Sequence, residues 1–331
     1  MSRAQLTSTV EQNSAGAAAP FVAGKNFIIN GGMDNWQRNT TSSSYNAYAT
    51  ADRWYIAGGG SFTSNQDTDV PNGVAVQYSL NWTTTASSSY GQLYQAIEQG
   101  IVKTLRGQTV TASAWFKTSG SVAGNLIFRF DYSTSTDVLT SVTTNIAGTD
   151  VPFSGSSATS WVKKTSTFVV PSNAVGLRVS LIPDTVQSSG AIVKMTGVQL
   201  ELGSVATPFS RAGGTLQGEL AACQRYYWRS TTSILGSHGI GATQSTTGAI
   251  VGVNVPVTMR VVPTSIDFAN LRLVNYGVAA YSISTITLSS TDTTQNFLNL
   301  DCAGASGMTA NRPVFLYGNG LSGYIGASAE L

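Results

Sequence analysis

Six tryptophans, one histidine, two cysteines and sixteen acidic residues are the groups in this 331-residue chain from which a site would be built. An exposed indole stacks on a sugar face, whereas a buried one is ordinary core. Trp36, Trp54 and Trp115 stand among strand-type residues and read as core. Trp82 stands in Asn81-Trp82-Thr83-Thr84-Thr85, a polar, loop-like run with Tyr90 nearby, and Tyr45 and Tyr48 lie in a Ser/Thr-rich stretch. Binding residues concentrate on loops carried by a rigid scaffold, so Trp82, Tyr45, Tyr48 and Tyr90 are the candidates for stacking on glycan rings.

Catalytic chemistry finds little footing. A glycosidase needs two positioned carboxylates. The acids on or near expected strands are Asp34, Asp52, Asp131 and Glu201; Asp34 lies near Arg38 and Asp52 precedes Arg53, the makings of ion pairs or turn caps. The single histidine, His238, falls in the loop-like Gly236-Ser237-His238-Gly239 and has no partner motif, which excludes a His-based metal site or a Ser-His-Asp triad. Gly58-Gly59-Gly60 and Gly213-Gly214 lack the strand-loop-helix context and lysine of a phosphate loop, so no cofactor is expected. Cys223 and Cys302 do not make a disulfide framework and are expected free in a reducing cytosol. The chain reads as a non-enzyme.

Charge excludes further classes. Eighteen basic and sixteen acidic residues leave a net +2, too balanced for an electrostatic nucleic-acid binder. No apolar run approaches the roughly 20 residues of a membrane span, and residues 1–20 lack the apolar segment of a secretory signal.

The elements that must position these groups are strands. Only 10% of residues are charged, and long-chain helix formers are scarce. Period-two alternation is clearest over 108–117, where Val110, Ala112, Ala114 and Phe116 oppose Thr111, Ser113 and Trp115. Strands are expected at 26–30, 52–57, 74–80, 92–97, 108–117, 125–132, 161–170, 176–182 and 191–202. Their number and spacing predict a jelly-roll β-sandwich over 25–210. Residues 211–228 form a linker and the chain's one helix, expected at 215–227 because Leu216, Leu220, Cys223 and Tyr227 make one apolar stripe. That stripe is the candidate oligomer or domain seam, since a helix of about 12 residues is marginal without a partner surface. Residues 229–331 read as a smaller antiparallel β domain, with strands at 249–260, 271–274, 281–288, 297–300, 313–317 and 324–331 and His238 and Cys302 outside them. Pro256 marks an edge or a bulge. Residues 1–24 read as an arm.

Several motifs occur together and in order. They are Asn30-Gly31-Gly32-Met33-Asp34-Asn35-Trp36-Gln37-Arg38, then Ala51-Asp52-Arg53-Trp54; residues 109–117; Val198-Gln199-Leu200-Glu201-Leu202-Gly203 with Ala206-Thr207-Pro208-Phe209; Glu219 to Tyr227; Pro256 to Arg260; and the final Ala327 to Leu331. Over residues 25–331 this order resembles bacteriophage tail-fibre and other virion structural proteins, with a jelly roll similar to carbohydrate-binding modules. The resemblance implies an all-β virion protein, assembled in the host cytoplasm. It implies a homotrimer that docks on other virion proteins through the N-terminal arm and contacts cell-surface glycan. A purely architectural capsid or baseplate decoration protein is the alternative. In similar modules a calcium ion sits near the first and last strands, where Asp34 and Glu201 stand here; two carboxylates are few for an ion that takes six to eight oxygens.

Overall fold

A computed structural model describes residues 24–87, 91–136, 144–232, 236–275, 279–320 and 322–331. Most of the arm, residues 1–23, and Tyr90 lie outside these. The described chain is nearly all β and divides into two compact units, one ending at Leu220 and one spanning Ala221–Glu330. Among the described residues no helix is long and apolar enough to cross a membrane.

The first unit carries β1 (Thr41–Ser42), β2 (Tyr55–Gly58), β3 (Phe62–Asp67), β4 (Ser79–Thr84), β5 (Gly91–Ile97), helix α1 (Gln99–Leu105), β6 (Thr109–Ser119), β7 (Asn125–Ser133), β8 (Thr144–Asn145), β9 (Val151–Ser154), β10 (Val162–Val169), β11 (Gly176–Pro183) and β12 (Ile192–Leu202). One sheet runs β1-β3-β4-β12-β6-β10; the other runs β2-β5-β11-β7-β8, with β9 also on β7. The long strands alternate between sheets: β4, β6, β10 and β12 lie in one, β5, β7 and β11 in the other. This is the jelly-roll pattern of a sandwich. Between the sheets, Phe116, Phe128, Phe130 and Phe168 form a chain of rings with centroids 4.7–5.5 Å apart. Val110, Ala112, Ala114 and Phe116 point into it and are fully buried, as the alternation of β6 dictates.

Three expected strands changed character. Residues 26–30 are not a strand; instead the Asn26 amide acts as a backbone substitute beside β12. Its Nδ2 donates to Val198 O (3.1 Å) and Ser210 O (3.0 Å), and its Oδ1 accepts from Ile28 N (2.9 Å) and Leu200 N (3.0 Å). The run expected at 52–57 begins as a strand only at Tyr55, because Arg53 takes a left-handed φ of 72°. The segment from Asn30 to Arg38, with Ala51 to Trp54, is therefore a structural plug. Asn30 bonds Asn35 and Asp52 O, Trp54 Nε1 donates to Asn30 O (3.1 Å), and Asp52 accepts both Gln37 N and Gln37 Nε2. The strand expected at 74–80 starts at Ser79 and runs on through Trp82. Strand β3 and helix α1 were not expected.

Helix α2 spans Leu216–Gln224, shorter than the expected 215–227. The four seam candidates do not share a free face: Leu216 is exposed, Leu220 is half-buried, Cys223 is buried, and Tyr227 belongs to a strand. Burial within their own chain removes Cys223 and Tyr227 from an intermolecular seam. The buried polar residue of this helix is Glu219, which accepts from Asn30 N and Gly213 N (2.7 Å for the latter). Burial pushes the Glu219 carboxyl above its usual range, and the two backbone donors only partly counter that.

The second unit holds β13 (Tyr227–Thr232), β14 (Ser237–Thr243), β15 (Gly248–Asn254), β16 (Ser265–Ala269), β17 (Leu271–Asn275), β18 (Ala279–Ser282), β19 (Thr285–Leu288), β20 (Phe297–Ala303), β21 (Pro313–Gly318) and β22 (Gly323–Ser328). They form a three-stranded sheet, β13-β22-β16, and a seven-stranded sheet, β18-β17-β21-β14-β15-β20-β19. The expected edge at Pro256 is corrected: β15 lies inside its sheet and simply ends at Asn254, before the proline. Residues 281–288 are two strands rather than one. His238 lies on β14 rather than in a loop, half-buried between Ser230 Oγ (3.0 Å) and Thr232 Oγ1 (2.9 Å), and burial lowers its pKa. Cys302 lies within β20, not after it, and burial, with Asp301 adding to it, raises its thiol pKa to about 12.

Asn26→Asp is expected to lower unfolding free energy by about 3 kcal/mol at pH 7, because it aims a carboxylate at two buried carbonyls in place of an amide donor. Urea denaturation measures this; a loss below about 1 kcal/mol would show that the amide does not tie the segment to β12.

Candidate binding cleft on the open sheet face

The outer face of the β1-β3-β4-β12-β6-β10 sheet carries the residues that alternate away from the core. On β6 these are Thr111, Ser113, Trp115 and Lys117. Thr111 and Ser113 are covered, with Thr111 Oγ1 donating to Gly203 O at 2.8 Å, whereas Trp115 and Lys117 remain half-exposed. Lys117 pairs directly with Lys194 on β12, which pairs with Asn81 on β4; Trp115 pairs with Lys163 on β10 and Thr196 on β12. Two loops rise beside this patch, residues 68–78 after β3 and residues 155–161 before β10. Together they enclose a cleft of about 520 Å³ walled by Asp69, Asn72, Trp115, Lys117, Ser160 and Trp161. That size falls within the range of roughly 300–1,000 Å³ usual for small-ligand sites.

Asp69 is the node of the cleft. Lys117 Nζ donates to its Oδ2 at 2.8 Å, Lys194 Nζ donates to the same oxygen at 3.0 Å, and Trp161 Nε1 donates to Oδ1 at 3.0 Å. Asp67 takes a second bond from Lys194 (2.8 Å) and one from Asn81 Nδ2 (2.9 Å). Like charges facing each other across two strands repel, and the two carboxylates neutralise Lys117 and Lys194. Partial burial pushes the Asp69 carboxyl up, but the bonds from Lys117, Trp161 and Lys194 outweigh it and hold the pKa well below the carboxylate range. The same contest lowers Asp67 and raises Lys194. The indole of Trp161 is thereby fixed by its edge, and its ring lines the cleft.

Trp115 divides this cleft from a second depression of about 290 Å³, whose walls include Asn72, Val74, Trp115, Lys163 and Phe209. The indole lies against Gly197, where an added Cβ would sit 3.0 Å from Trp115 Cδ1. Gly197 also has φ +61°, so a glycine is required there on both counts. It occupies the bulge at which the β12-β6 register shifts, between Thr196 and Gln199.

Of the residues expected from sequence to bind glycan, Tyr90 lies outside the described residues, and Trp82, Tyr45 and Tyr48 do not line this cleft. Trp82 is corrected from loop to core: it lies on β4 with 8% of its surface exposed, edge-on to Phe62 at 5.7 Å and covering Gly91. Its polar neighbours Asn81 and Thr83 simply point to the other face of the strand. A ring so covered offers no face to a sugar. Tyr48 packs edge-on against Tyr55 at 5.0 Å, and Tyr45 is exposed and lines neither depression. Trp54 is fully buried as expected, but Trp115, expected in the core, lines the cleft. The carboxylates singled out from sequence are engaged separately. Asp34 holds Arg211 (2.7 Å) rather than Arg38, Asp52 holds Gln37, Asp131 holds Arg178 (2.8 Å), and Glu201 accepts from Gln199 and Thr207. Among the described residues no group of three or more His, Cys, Asp or Glu is placed to hold a metal ion.

No family model and no curated protein matches the sequence. Among solved structures, the enzymatically active domain of tailspike protein 4 of bacteriophage CBA120 is similar over 54% of this chain and 21% of that one, at 15% identity and a TM-score of 0.39. A putative sugar-binding protein from Bacteroides thetaiotaomicron is similar over 54% of this chain and all of that one, at 12% identity and a TM-score of 0.35. The xylan-binding CBM22-1 domain from Paenibacillus barcinonensis is similar over 56% and 98%, at 14% identity and 0.35. The chain thus spans about a fifth of the length of the tailspike chain.

Asp69→Asn is expected to destabilise the protein at neutral pH by leaving Lys117 and Lys194 opposed. A carboxyl depressed in the folded state contributes stability above its unfolded pKa, near 3.8, and loses it as pH falls toward the folded value. The stability gap between wild type and Asp69→Asn, followed by urea titration, should be constant from pH 7 to 5 and narrow below pH 3.8. A gap that narrows already near pH 6 would mean that Asp69 is not held ionised by the lysines.

Proposed function

We propose that the first unit is a glycan-binding module and that the chain serves a phage virion as a host-contacting appendage. The observation that carries the binding reading is the cleft on the open sheet face, where Trp115 and Trp161 stand among Asn72, Ser160, Asp69 and Lys117. Saccharide rings present apolar C–H faces edged by hydroxyls. A site that suits them combines aromatic area with short polar side chains, and the cleft has both. The indole N–H of Trp161 is already given to Asp69, so its ring is oriented before any ligand arrives, which reduces the ordering cost of binding.

Binding rather than hydrolysis is favoured by the carboxylates themselves. A glycosidase's general acid needs a raised pKa, and Asp67 and Asp69 are both shifted the other way. The virion role is supported by the ordered motifs over residues 25–331. In this reading the arm up to residue 24 docks on another virion protein. A homotrimer would bring three clefts to one surface, and repetition raises avidity by roughly 10²–10⁴ over a weak single site.

The test is binding of the full chain to an oligosaccharide array, followed by titration calorimetry on the best ligand. Trp161→Ala is expected to weaken binding at least tenfold, about 1.4 kcal/mol, with an unchanged melting curve, while Trp161→Phe, which keeps a ring but loses the bond to Asp69, is expected to fall between Trp161→Ala and wild type. Absence of any glycan ligand, or full affinity in Trp161→Ala, would favour the architectural reading. Removing residues 1–24 should leave stability and glycan binding intact and abolish incorporation into particles; assembly at full occupancy would move the attachment to a domain face.

A further inference from the structure

The second depression beside Trp115 differs from the first in its charge. In the first, Lys117 and Lys194 are balanced by Asp67 and Asp69. In the second, Lys163 is half-buried in the wall and, among the described residues, forms no ion pair; its one polar contact there is a long one, 3.4 Å to Thr207 O. Lys25 is a second cation close enough to act on it, and among the described residues is itself bonded to Thr207 Oγ1 and Pro208 O. Glu201 is the facing carboxylate, and its oxygens already accept from Gln199 Nε2, Thr207 N and Thr207 Oγ1. Two ammonium groups therefore share one engaged carboxylate, leaving a local surplus of one positive charge. Burial presses Lys163 toward its neutral form; Glu201 opposes that, and Lys25 adds to it by a smaller amount. A partly desolvated cation that shares its one facing carboxylate with a second cation gains from a further anion brought to it.

Resting on the glycan-binding reading, we infer that the ligand is an acidic oligosaccharide, with a neutral ring face on Trp115 and Trp161 and a carboxylate of the sugar chain against Lys163. The two depressions share Asn72 and Trp115, so one continuous chain of sugars reaches both. Trp115 then contacts the ligand from the ridge between them. Lys163 is the specificity-determining residue, because a neutral chain can fill the first depression but leaves the cation uncompensated.

The experiment compares uronic-acid oligomers of galacturonate, mannuronate and glucuronate with the same oligomers as methyl esters, alongside neutral hexose oligomers and sulfated glycans. The full chain, Lys163→Gln and Lys164→Gln are titrated against each. Lys164 is the control, since its ammonium lies 5.3 Å from the Phe153 ring centroid and does not line the depression. At least one uronate is expected to bind tenfold or more tighter than its ester. That preference should fall in 0.5 M salt and disappear in Lys163→Gln but not in Lys164→Gln. Equal affinity for acid and ester, a preference for neutral hexoses or for sulfate alone, or a uronate preference that survives Lys163→Gln would overturn this inference while leaving the glycan site standing. Binding to none of the probes would overturn both.

Discussion

The bulge in β12 is the constraint on which the rest of the first unit depends. Before it, β12 pairs on one side with β4, over Ile192–Met195, and on the other with β6. After it, β4 is gone and the segment at residues 26–31 takes its place. Val198 N donates to Gly31 O, Phe27 N donates to Leu200 O, and the Asn26 amide spans the rest. The approach is so close that a Cβ on Gly31 would lie 1.9 Å from Val198 O, which excludes any other residue there. Thr196, at the bulge, donates to Tyr78 O and Gly32 O and so anchors the loop that carries Asp69 and Asn72 to the cleft. Gly197 leaves the space against which Trp115 lies. One irregularity thus ends a strand pairing, docks the plug and sets a wall of the cleft, in keeping with the tendency of bulges to stand beside functional sites.

Charge is used sparingly and locally. In a chain with only 10% charged residues, four ionised groups meet across β3, β4, β6 and β12 at the cleft. Isolated exposed ion pairs stabilise by about 0–1 kcal/mol, so stability is not a sufficient account of the cluster. Its geometric effect is larger. Each group in the row has its partner, Lys194 bridges both aspartates, and the indole of Trp161 is pinned to the same node. The Asp131–Arg178 pair in the other sheet is more deeply buried, with two guanidinium nitrogens donating to one carboxylate oxygen, and the guanidinium lies over Tyr94 at 4.9 Å; the pair is directly cross-strand and joins β7 to β11. The contrast separates an ion pair that clamps two strands from one that arranges a surface.

Much of the fold was legible because period-two burial is written in the residues themselves. Strands β6, β7, β10, β11 and β12 begin and end within two residues of expectation, as β17 and β21 do in the second unit. Failures have specific causes. Strand β3 reads Phe-Thr-Ser-Asn-Gln-Asp and β14 reads Ser-His-Gly-Ile-Gly-Ala-Thr; both lack the apolar alternation that marks a strand, because their partners supply the core contacts. Tyr227 fell on a helical repeat by coincidence of spacing, and β13 was lost with it. Helix α1 has seven residues, too short for periodicity to show. The plug motif was visible as a pattern, but its role as a network of Asn and Asp bonds to backbone required three dimensions.

The site was hidden for a different reason, and the reason bears on how it works. Asp69 meets Trp161 across 92 positions and Lys194 across 125, so no local spacing announces the cluster. One signal did exist: on β6, Trp115 and Lys117 fall on the face opposite Phe116, and a strand with a ring and a charge on its outer face is a candidate platform. Reading Trp115 as core discarded it. Polar neighbours pointed instead to Trp82, whose strand turns that ring inward and Asn81 outward. Binding residues on loop tips must be ordered when ligand arrives, at about 0.5–1.5 kcal/mol for each immobilised side chain. A ring set on a central strand and another tied to a carboxylate have that freedom removed during folding. For a weakly binding surface such as a single saccharide site, that difference is comparable to the affinity gained from one stacked ring. A sheet face flanked by loops tied to it is therefore a better place for the proposed site than free loop tips.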